Sequence, residues 1–275
     1  MKIAKLILSG WIGLAACLSP AQAQSGYPPA IEDVVSVDVL PGWRTENGTH
    51  MAAIRIRLAE GWKTYWRAPG EAGIPPSLNL QGSRNLASVA LHWPVPEVFD
   101  TAGMQTIGYT EDLVLPMSLT PRQMGRDMQL KGKVHLGVCK DVCMPTEAEI
   151  SVTLPMEGAA AKSPIKRALR ARPDTAKEAG LKSAICTIDP IRDGLRVTAR
   201  LRLPRVGRAE VVVIETANRS VWVEPVSTTR QGDVLETVAD LVPASGKPFI
   251  LNRSDLRLTV LAAGRGVDIR GCTGS

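Results

Sequence analysis

The sequence predicts an all-β protein made of two tandem antiparallel β-sandwiches joined by a short helical linker. Apolar and polar residues alternate in several short segments of both halves, which is the pattern of strands with one buried and one solvated face. Glycine and proline are frequent, at 24 and 20 of 275 residues, as expected for many strands joined by turns. Because no helical repeat separates successive strands, the pattern favours antiparallel sandwiches over a parallel sheet.

Residues 1–23 have the composition of a secretory signal peptide. Lys2 and Lys5 give the positive start, residues 6–18 form an apolar stretch too short for a permanent membrane-spanning helix, and Ala-Gln-Ala ends the segment as a cleavage site. A competing interpretation is a lipoprotein signal, because Cys17 follows the small residues at which bacterial lipoproteins are cut and acylated. Both interpretations predict an exported, periplasmic protein, in the second case with a lipid anchor at Cys17.

We expect the first sandwich to occupy residues 27–156. Its alternating segments lie at 54–58, 89–93 and 150–154, where apolar residues take every second position. Eight of the eleven aromatic residues also fall in this unit. Large rings are costly on a surface unless they cover something or meet a partner. The first unit is therefore where we expect the functional site.

Residues 157–182 are predicted to form a basic linker that could be helical. From residue 158 to residue 182 there are seven lysines or arginines against two acidic residues, so most of the net charge of +6 is local to this stretch. A solvated connector explains this composition, and the alternative is a basic patch that faces anionic lipid or an acidic partner. Nucleic acid is not an expected partner, because the protein is exported and its basic stretch lacks interleaved aromatic residues.

The second sandwich is predicted to occupy residues 183–275. Residues 195–203 alternate strictly after an Asp-Gly turn, and a run that begins at Leu256 is turned by Gly264-Arg265-Gly266 into a final strand. Because Cys186 begins this unit and Cys272 closes it, a bridge between them would tie its first strand to its last.

Four cysteines follow the signal segment: Cys139, Cys143, Cys186 and Cys272. An even number in an oxidising compartment predicts two bridges, for which three pairings are possible. In the chain-entropy model a bridge from Cys186 to Cys272 stabilises the fold by about 4.6 kcal/mol, against about 2 kcal/mol for one from Cys139 to Cys143. The long bridge is therefore predicted to be structural, whereas the tight pair suits thiol exchange.

Alternation also predicts where the tight pair lies. If Val134, Leu136 and Val138 face the core, Cys139 faces outward at the end of the same strand and should be close to solvent, with Cys143 after a turn.

A reactive thiol needs some thiolate, which a neighbouring cation favours. The candidates are Lys140, the nearest in sequence, and His135, on the same predicted face of the strand. For both residues an ordinary surface role is the alternative.

Several motifs of the first unit resemble those of one known family. They are Gly61-Trp62-Lys63-Thr64-Tyr65-Trp66, Pro69-Gly70-Glu71-Ala72-Gly73-Ile74-Pro75-Pro76, Trp93-Pro94-Val95-Pro96, Gly108-Tyr109 and the segment 137–145 with its two cysteines. Over roughly residues 30–155 the chain is similar to the amino-terminal periplasmic domain of the thiol:disulfide interchange protein DsbD. The resemblance is greatest to the branch found in suppressor of copper sensitivity (ScsB-like) proteins.

The resemblance implies an immunoglobulin-like fold and a protein-disulfide reductase type of activity. Cys139 and Cys143 would be the redox pair, and Cys143 would form the mixed disulfide with partners. The implied partners are a membrane-embedded thiol relay of the DsbD type, which supplies electrons, and oxidised periplasmic thioredoxin-like proteins, which receive them. We expect the donor to be a separate polypeptide, and no cofactor is implied.

The family also implies a cap loop and an aromatic pocket around the redox pair. Residues 96–100 occupy the equivalent of the cap loop, with Phe99 as its lid, and Tyr65, Trp66 and Tyr109 would line the pocket. For Phe99, Tyr65 and Trp66 the alternative is packing in the core.

Two other function classes remain open from the sequence. Cys139, Cys143 and His135, with Met144 and Met104, form a soft ligand set that could bind Cu(I), although the methionines lack a repeated metal-binding spacing. A non-redox adaptor stabilised by disulfides is the third possibility. We expect no resident metal, and no hydrolytic or nucleotide-binding motif is present.

Overall fold

The computed structural model of the protein describes residues 29–101, 103–156 and 159–274. The predicted signal peptide, residues 1–23, and the proposed anchor Cys17 lie outside the described residues. Within the described ranges, none of the helices has the length and apolar character needed to span a membrane.

Strands dominate both halves of the chain. Those of the first half are β1 Val35–Arg44, β2 His50–Leu58, β3 Lys63–Gly70, β4 Ser77–Asn79, β5 Leu86–Leu91, β6 Glu97–Thr101, β7 Met104–Thr110, β8 Leu113–Pro121, β9 Met128–Cys139, β10 Cys143–Leu154 and β11 Ala159–Ala160. They form one sheet in the order β11-β1-β2-β8-β5 and a second in the order β10-β9-β3-β7-β6, with β4 also paired to β9.

The second half repeats this two-sheet arrangement. Its strands are β12 Asp174–Thr175, β13 Ser183–Ile191, β14 Gly194–Arg202, β15 Val211–Glu215, β16 Val221–Gln231, β17 Val234–Pro243, β18 Arg257–Ala262 and β19 Arg265–Arg270. The two sheets have the orders β12-β19-β18-β15 and β13-β14-β17-β16. Except for the short parallel pair β12–β19, the named strands pair antiparallel in the described chain. The predicted all-β fold of antiparallel sandwiches is confirmed.

Only part of the predicted linker is helical, and its short strands pair with sheets of both halves. Besides the one-turn helix α1 (Ile31–Val34) and a 3₁₀ turn at Arg253–Asp255, the described chain contains the helix α2 (Lys162–Arg170). This helix packs against β8 and β1 and ends shortly before Pro173, which cannot continue it. Just before α2, β11 extends the first half's sheet, and after it β12 extends the second half's.

Each half has its own core, which follows from the alternation in the sequence. In β2, Ile54 and Ile56 are buried between partly exposed arginines, and in β14 Val197, Ala199 and Leu201 are buried in the same way. On these separate cores we propose a division into a first sandwich (27–156), a linker (157–182) and a second sandwich (183–275).

A disulfide joins the two ends of the second sandwich. Cys186 in β13 is bonded to Cys272 beyond β19, with a Cα–Cα distance of 5.8 Å, and Cys186 is fully buried. Two backbone hydrogen bonds reinforce the same closure: Thr273 N–H donates to the Ala184 carbonyl, and Cys186 N–H donates to the Thr273 carbonyl, both at 2.9 Å. The bridge therefore closes a long loop around a packed core, as a structural disulfide does.

We expect the double variant Cys186→Ala/Cys272→Ala to lose about 4.6 kcal/mol of unfolding free energy, because the unfolded chain regains the entropy of the open loop. Urea unfolding followed by circular dichroism measures this loss. The matched control is Cys139→Ala/Cys143→Ala, for which the same reasoning predicts a loss of about 2 kcal/mol. Equal losses in the two variants would contradict a structural role for the longer bridge.

Candidate functional site

Cys139 and Cys143 are bonded to each other across the end of the β9–β10 hairpin. The two residues are a directly opposed pair of the antiparallel ladder, with a Cα–Cα distance of 4.1 Å. Three residues, 140–142, make the turn between them, and Lys140 N–H donates to the Val142 carbonyl at 3.3 Å. A single hairpin therefore brings together the two cysteines that the sequence singled out.

The faces of β9 are as the sequence predicted. Val134, Leu136 and Val138 are at most 3% exposed and belong to the core of the first sandwich. Strand geometry then puts Cys139 on the opposite, outer face of the sheet, together with Gly137 two positions earlier.

The two sulfurs differ strongly in their exposure. Cys139 is only 6% exposed, so the expectation that it would be close to solvent was wrong. Residues 71–76, which we call the cover segment, cross the outer face of β9: a Cβ added to Gly137 would lie 2.6 Å from the Cβ of Ile74. Cys143, in contrast, is exposed. An attacking thiolate can therefore reach Cys143 far more easily than Cys139.

The hydroxyl of Tyr65, in β3, contacts the exposed cysteine. This hydroxyl lies 3.5 Å from Cys143 Sγ, and because a disulfide sulfur carries no hydrogen, Tyr65 is the donor. The ring is 1% exposed and lies under the cover segment, since a Cβ on Gly73 would be 2.6 Å from Tyr65 Cδ1. Burial raises the pKa of the Tyr65 hydroxyl, which keeps it protonated near neutral pH.

The other two rings proposed for the pocket lie in the core. Trp66 and Tyr109 both belong to the buried cluster between the sheets of the first sandwich. Tyr109 stacks on Trp93, and its hydroxyl donates to the Pro94 carbonyl at 2.8 Å. On β3, Trp66 follows Tyr65 directly and so points to the opposite face. Trp66 therefore has the alternative role given for it, packing in the core, and Tyr109 packs in the same core.

Phe99 lies on an edge strand and not on an irregular loop. Residues 97–101 form β6, which pairs with β7, and Phe99 is opposite Thr106. The Lys63 ammonium lies 5.0 Å from the centroid of the half-buried Phe99 ring and donates to Thr106 Oγ1 at 3.2 Å. A cation–π contact therefore holds the proposed lid residue.

Lys63 is opposite Cys139 across the strands and on the same face of the sheet, which the sequence did not predict. Its ammonium, however, is directed to Thr106 and the Phe99 ring. Lys140 instead folds back over Gly61, where its ammonium donates to the Glu60 carbonyl at 3.4 Å. The alternation of Lys63 and Tyr65 in the Gly61–Trp66 motif predicts that the two side chains share one face of a strand. It does not predict which distant strand lies beside them.

His135 is also occupied elsewhere. Its Nδ1 lies 3.2 Å from a carboxylate oxygen of Glu147, the residue directly opposite it on β10. Both proposed thiolate stabilisers, His135 and Lys140, therefore contact partners other than the sulfurs.

The proposed soft-metal ligands are not gathered on one face. Met144 packs against the core of the first sandwich, whereas its neighbour Cys143 is exposed on the other face of β10. Met104 lies at the β6–β7 hairpin and is 49% exposed. Among the described residues, no group of three or more His, Cys, Asp or Glu side chains is arranged to hold a metal ion.

Comparison with known proteins agrees with the resemblance seen in the sequence. Residues 35–155 match the family "Thiol:disulfide interchange protein DsbD, N-terminal". The crystal structure of the N-terminal periplasmic domain of ScsB from Proteus mirabilis is 23% identical, with a TM-score of 0.66 over 91% of this chain and 98% of that chain. At this identity the likeness establishes the fold, which extends over both sandwiches.

Two further comparisons add no argument. A marsupial T cell receptor aligns over 86% of this chain and 99% of its own, but with 9% identity and a TM-score of 0.20. No curated protein matches the sequence significantly.

After reduction, we expect iodoacetamide to modify Cys143 at least about tenfold faster than it modifies Cys139, because only Cys143 is open to the reagent. Trypsin cleaves after Lys140 and so places the two cysteines on separate peptides, whose alkylation can be followed by mass spectrometry. The unfolded protein in urea is the control, in which the two rates should converge. Equal rates in the folded protein would contradict the observed difference in burial.

Proposed function

We propose that residues 35–155, which belong to the family of the DsbD amino-terminal domain, make this protein a periplasmic thiol–disulfide interchange module. The observation that carries the proposal is the asymmetric bridge, in which the exposed Cys143 is bonded to the buried Cys139. A bridge with one accessible sulfur directs attack to that sulfur and leaves the other as an internal leaving group.

The proposed reduction has two exchange steps. The thiolate of a reduced dithiol partner attacks Cys143 Sγ, the bond between the cysteines breaks, and Cys139 takes the electron pair as a thiolate. The partner's second thiolate then attacks its own sulfur in the mixed disulfide and releases Cys143. The partner ends as a disulfide and this chain as a dithiol, so two electrons have been transferred, and oxidation by a target protein is the same sequence in reverse.

One side chain suits the charge that develops on Cys143. Tyr65 already donates toward Cys143 Sγ, and a hydrogen bond to a thiolate is stronger than one to a neutral sulfur. Lys63 is opposite Cys139 across the strands, but its ammonium contacts Thr106 and the Phe99 ring. In this proposal Cys139 and Cys143 are the catalytic residues, and Tyr65 stabilises the Cys143 thiolate.

The proposed partners follow from the family and not from an observed contact. We propose that a membrane-embedded thiol relay of the DsbD type supplies electrons and that oxidised thioredoxin-like proteins of the periplasm receive them. Both partner types present a dithiol or disulfide, which is the chemistry that the exposed Cys143 can meet. The periplasmic location is supported by the predicted signal peptide and by the likeness to the periplasmic domain of ScsB.

Cu(I) binding by the same thiols has weaker support. It would use two thiolates without Met144, whose side chain packs in the core. Titration of the reduced protein with a Cu(I) probe in competition with a chelator separates the two functions, because an exchange module should bind Cu(I) weakly. The adaptor alternative predicts that glutathione buffers in the physiological range leave the bridge between Cys139 and Cys143 oxidised.

We expect the Cys139→Ser variant to accumulate mixed disulfides through Cys143 in the exported fraction, because the internal thiol that would release the partner is missing. Non-reducing electrophoresis followed by mass spectrometry of the adducts detects them. Cys143→Ser is the matched control and should give few adducts, since its remaining sulfur is buried. The proposal fails if neither variant forms a thiol-sensitive adduct.

A further inference from the structure

A largely buried ion pair joins the first sandwich to the second sandwich. Arg67 in β3 donates from Nε and Nη2 to the two carboxylate oxygens of Glu215 in β15, at 3.0 and 2.8 Å, and from Nη2 to Thr259 Oγ1 in β18 at 3.2 Å. The side chains of Arg67 and Glu215 are only 12% and 20% exposed. A two-point fork of this kind fixes the direction as well as the position of the arginine.

Arg67 lies in the part of β3 that no longer pairs with β9, the strand that carries Cys139. The first residues of β3 pair with the end of β9, but from Ser77 onward β4 has taken over the pairing with β9. The ladder between β3 and β7 also shifts in register between Tyr65 and Gly70. The chain between β3 and β4 therefore does not pair with β9 as a strand, and the cover segment starts only four residues beyond Arg67.

The cover segment is fixed to the site by a few close contacts. Glu71 exchanges hydrogen bonds with the backbone of Gln105 in β7, at 3.0 and 2.9 Å. Gly73 lies against the Tyr65 ring, and Ile74 lies over Gly137, two residues before Cys139. In each of the last two contacts a glycine leaves room for its neighbour, since an added Cβ would come within 2.6 Å of it.

We propose that the second sandwich is a positioning element for the redox pair, which acts by holding Arg67 and with it the root of the cover segment. The inference rests on the proposed exchange function and assigns a role to the second half of the chain. Glu215 and Thr259 fix Arg67, the fixed strand sets the path of residues 71–76, and these residues keep Cys139 covered while Cys143 stays exposed. Arg67 and Glu215 touch no reacting atom, so they are positioning residues.

Other contacts keep the two sandwiches together when the fork is removed. Leu261 of the second sandwich is part of the first sandwich's core. The Val95 N–H donates to the Ala171 carbonyl at 2.7 Å, and Gly266 lies beside Val95. Loss of the Glu215 charge should therefore loosen Arg67 without separating the two halves.

The test measures how fast iodoacetamide alkylates Cys139 in the reduced full chain. Dithiothreitol first reduces the bridge between Cys139 and Cys143 and becomes its cyclic disulfide, and after its removal the alkylation of both cysteines is followed by mass spectrometry, with the exposed Cys143 as the internal reference. In Glu215→Gln, which is isosteric but uncharged, we expect Cys139 to be alkylated about tenfold faster than in the unmodified protein, because a displaced cover segment leaves its sulfur open to the reagent. Arg67→Lys keeps the charge but loses the fork and should give a smaller increase.

The matched control is Glu210→Gln. Glu210 forms an equally forked and even more buried ion pair with Arg230, but wholly within the second sandwich. Its loss destabilises the same domain without touching Arg67, so the alkylation rate of Cys139 should stay within about twofold, as expected when access to its sulfur is unchanged. Urea unfolding of both variants checks that they remain folded under the assay conditions.

The outcomes separate this inference from the proposed function. Equal acceleration in Glu215→Gln and Glu210→Gln would mean general loosening of the domain and would overturn it, as would an unchanged rate in a folded Glu215→Gln protein. Because dithiothreitol replaces the biological partner, the result does not depend on adduct formation in the exported fraction. A failure of trapping there would count against the exchange function alone.

Discussion

The register of the β9–β10 hairpin is the constraint on which the site depends. An unbroken ladder runs from Met128 opposite Leu154 to Cys139 opposite Cys143, so the two cysteines meet as the last pair. The core-facing residues of β9 enforce this register, because a slip of one residue would turn every side chain of a strand to the other face. The buried residues of β9, as well as the turn, therefore keep the two cysteines opposite each other.

The order of strands in the sheet explains why the two sulfurs differ. Cys139 lies on β9, which has β10 on one side and β3 on the other, and the cover segment crosses its outer face. Cys143 lies on β10, the last strand of this sheet in the described chain, so its outer side has no neighbouring strand. Position in the sheet therefore leaves Cys143 exposed and Cys139 covered, before any charged group is considered.

Local pattern predicted the strands and their faces but not what lies over them. Alternation was sufficient to put Val134, Leu136 and Val138 in the core and Cys139 on the outer face, because period two is a property of one strand. The burial of Cys139 could not be read in this way, since its cover comes from residues more than sixty positions earlier in the sequence.

Local pattern also fails to predict which residue lies opposite Cys139 and which residues the second sandwich contacts. Lys140 is adjacent to Cys139 in sequence, yet Lys63 is the residue opposite Cys139 across the strands, because pairing between β3 and β9 is non-local. Arg67 is likewise bound to a residue 148 positions away. An exposed ion pair such as Arg200 with Glu236 contributes little to stability, whereas removing one partner of a largely buried, forked pair is strongly destabilising. Since β3 pairs with the cysteine strand at one end and is bound by the second sandwich at the other, residues of both sandwiches contact the strand that lies beside Cys139.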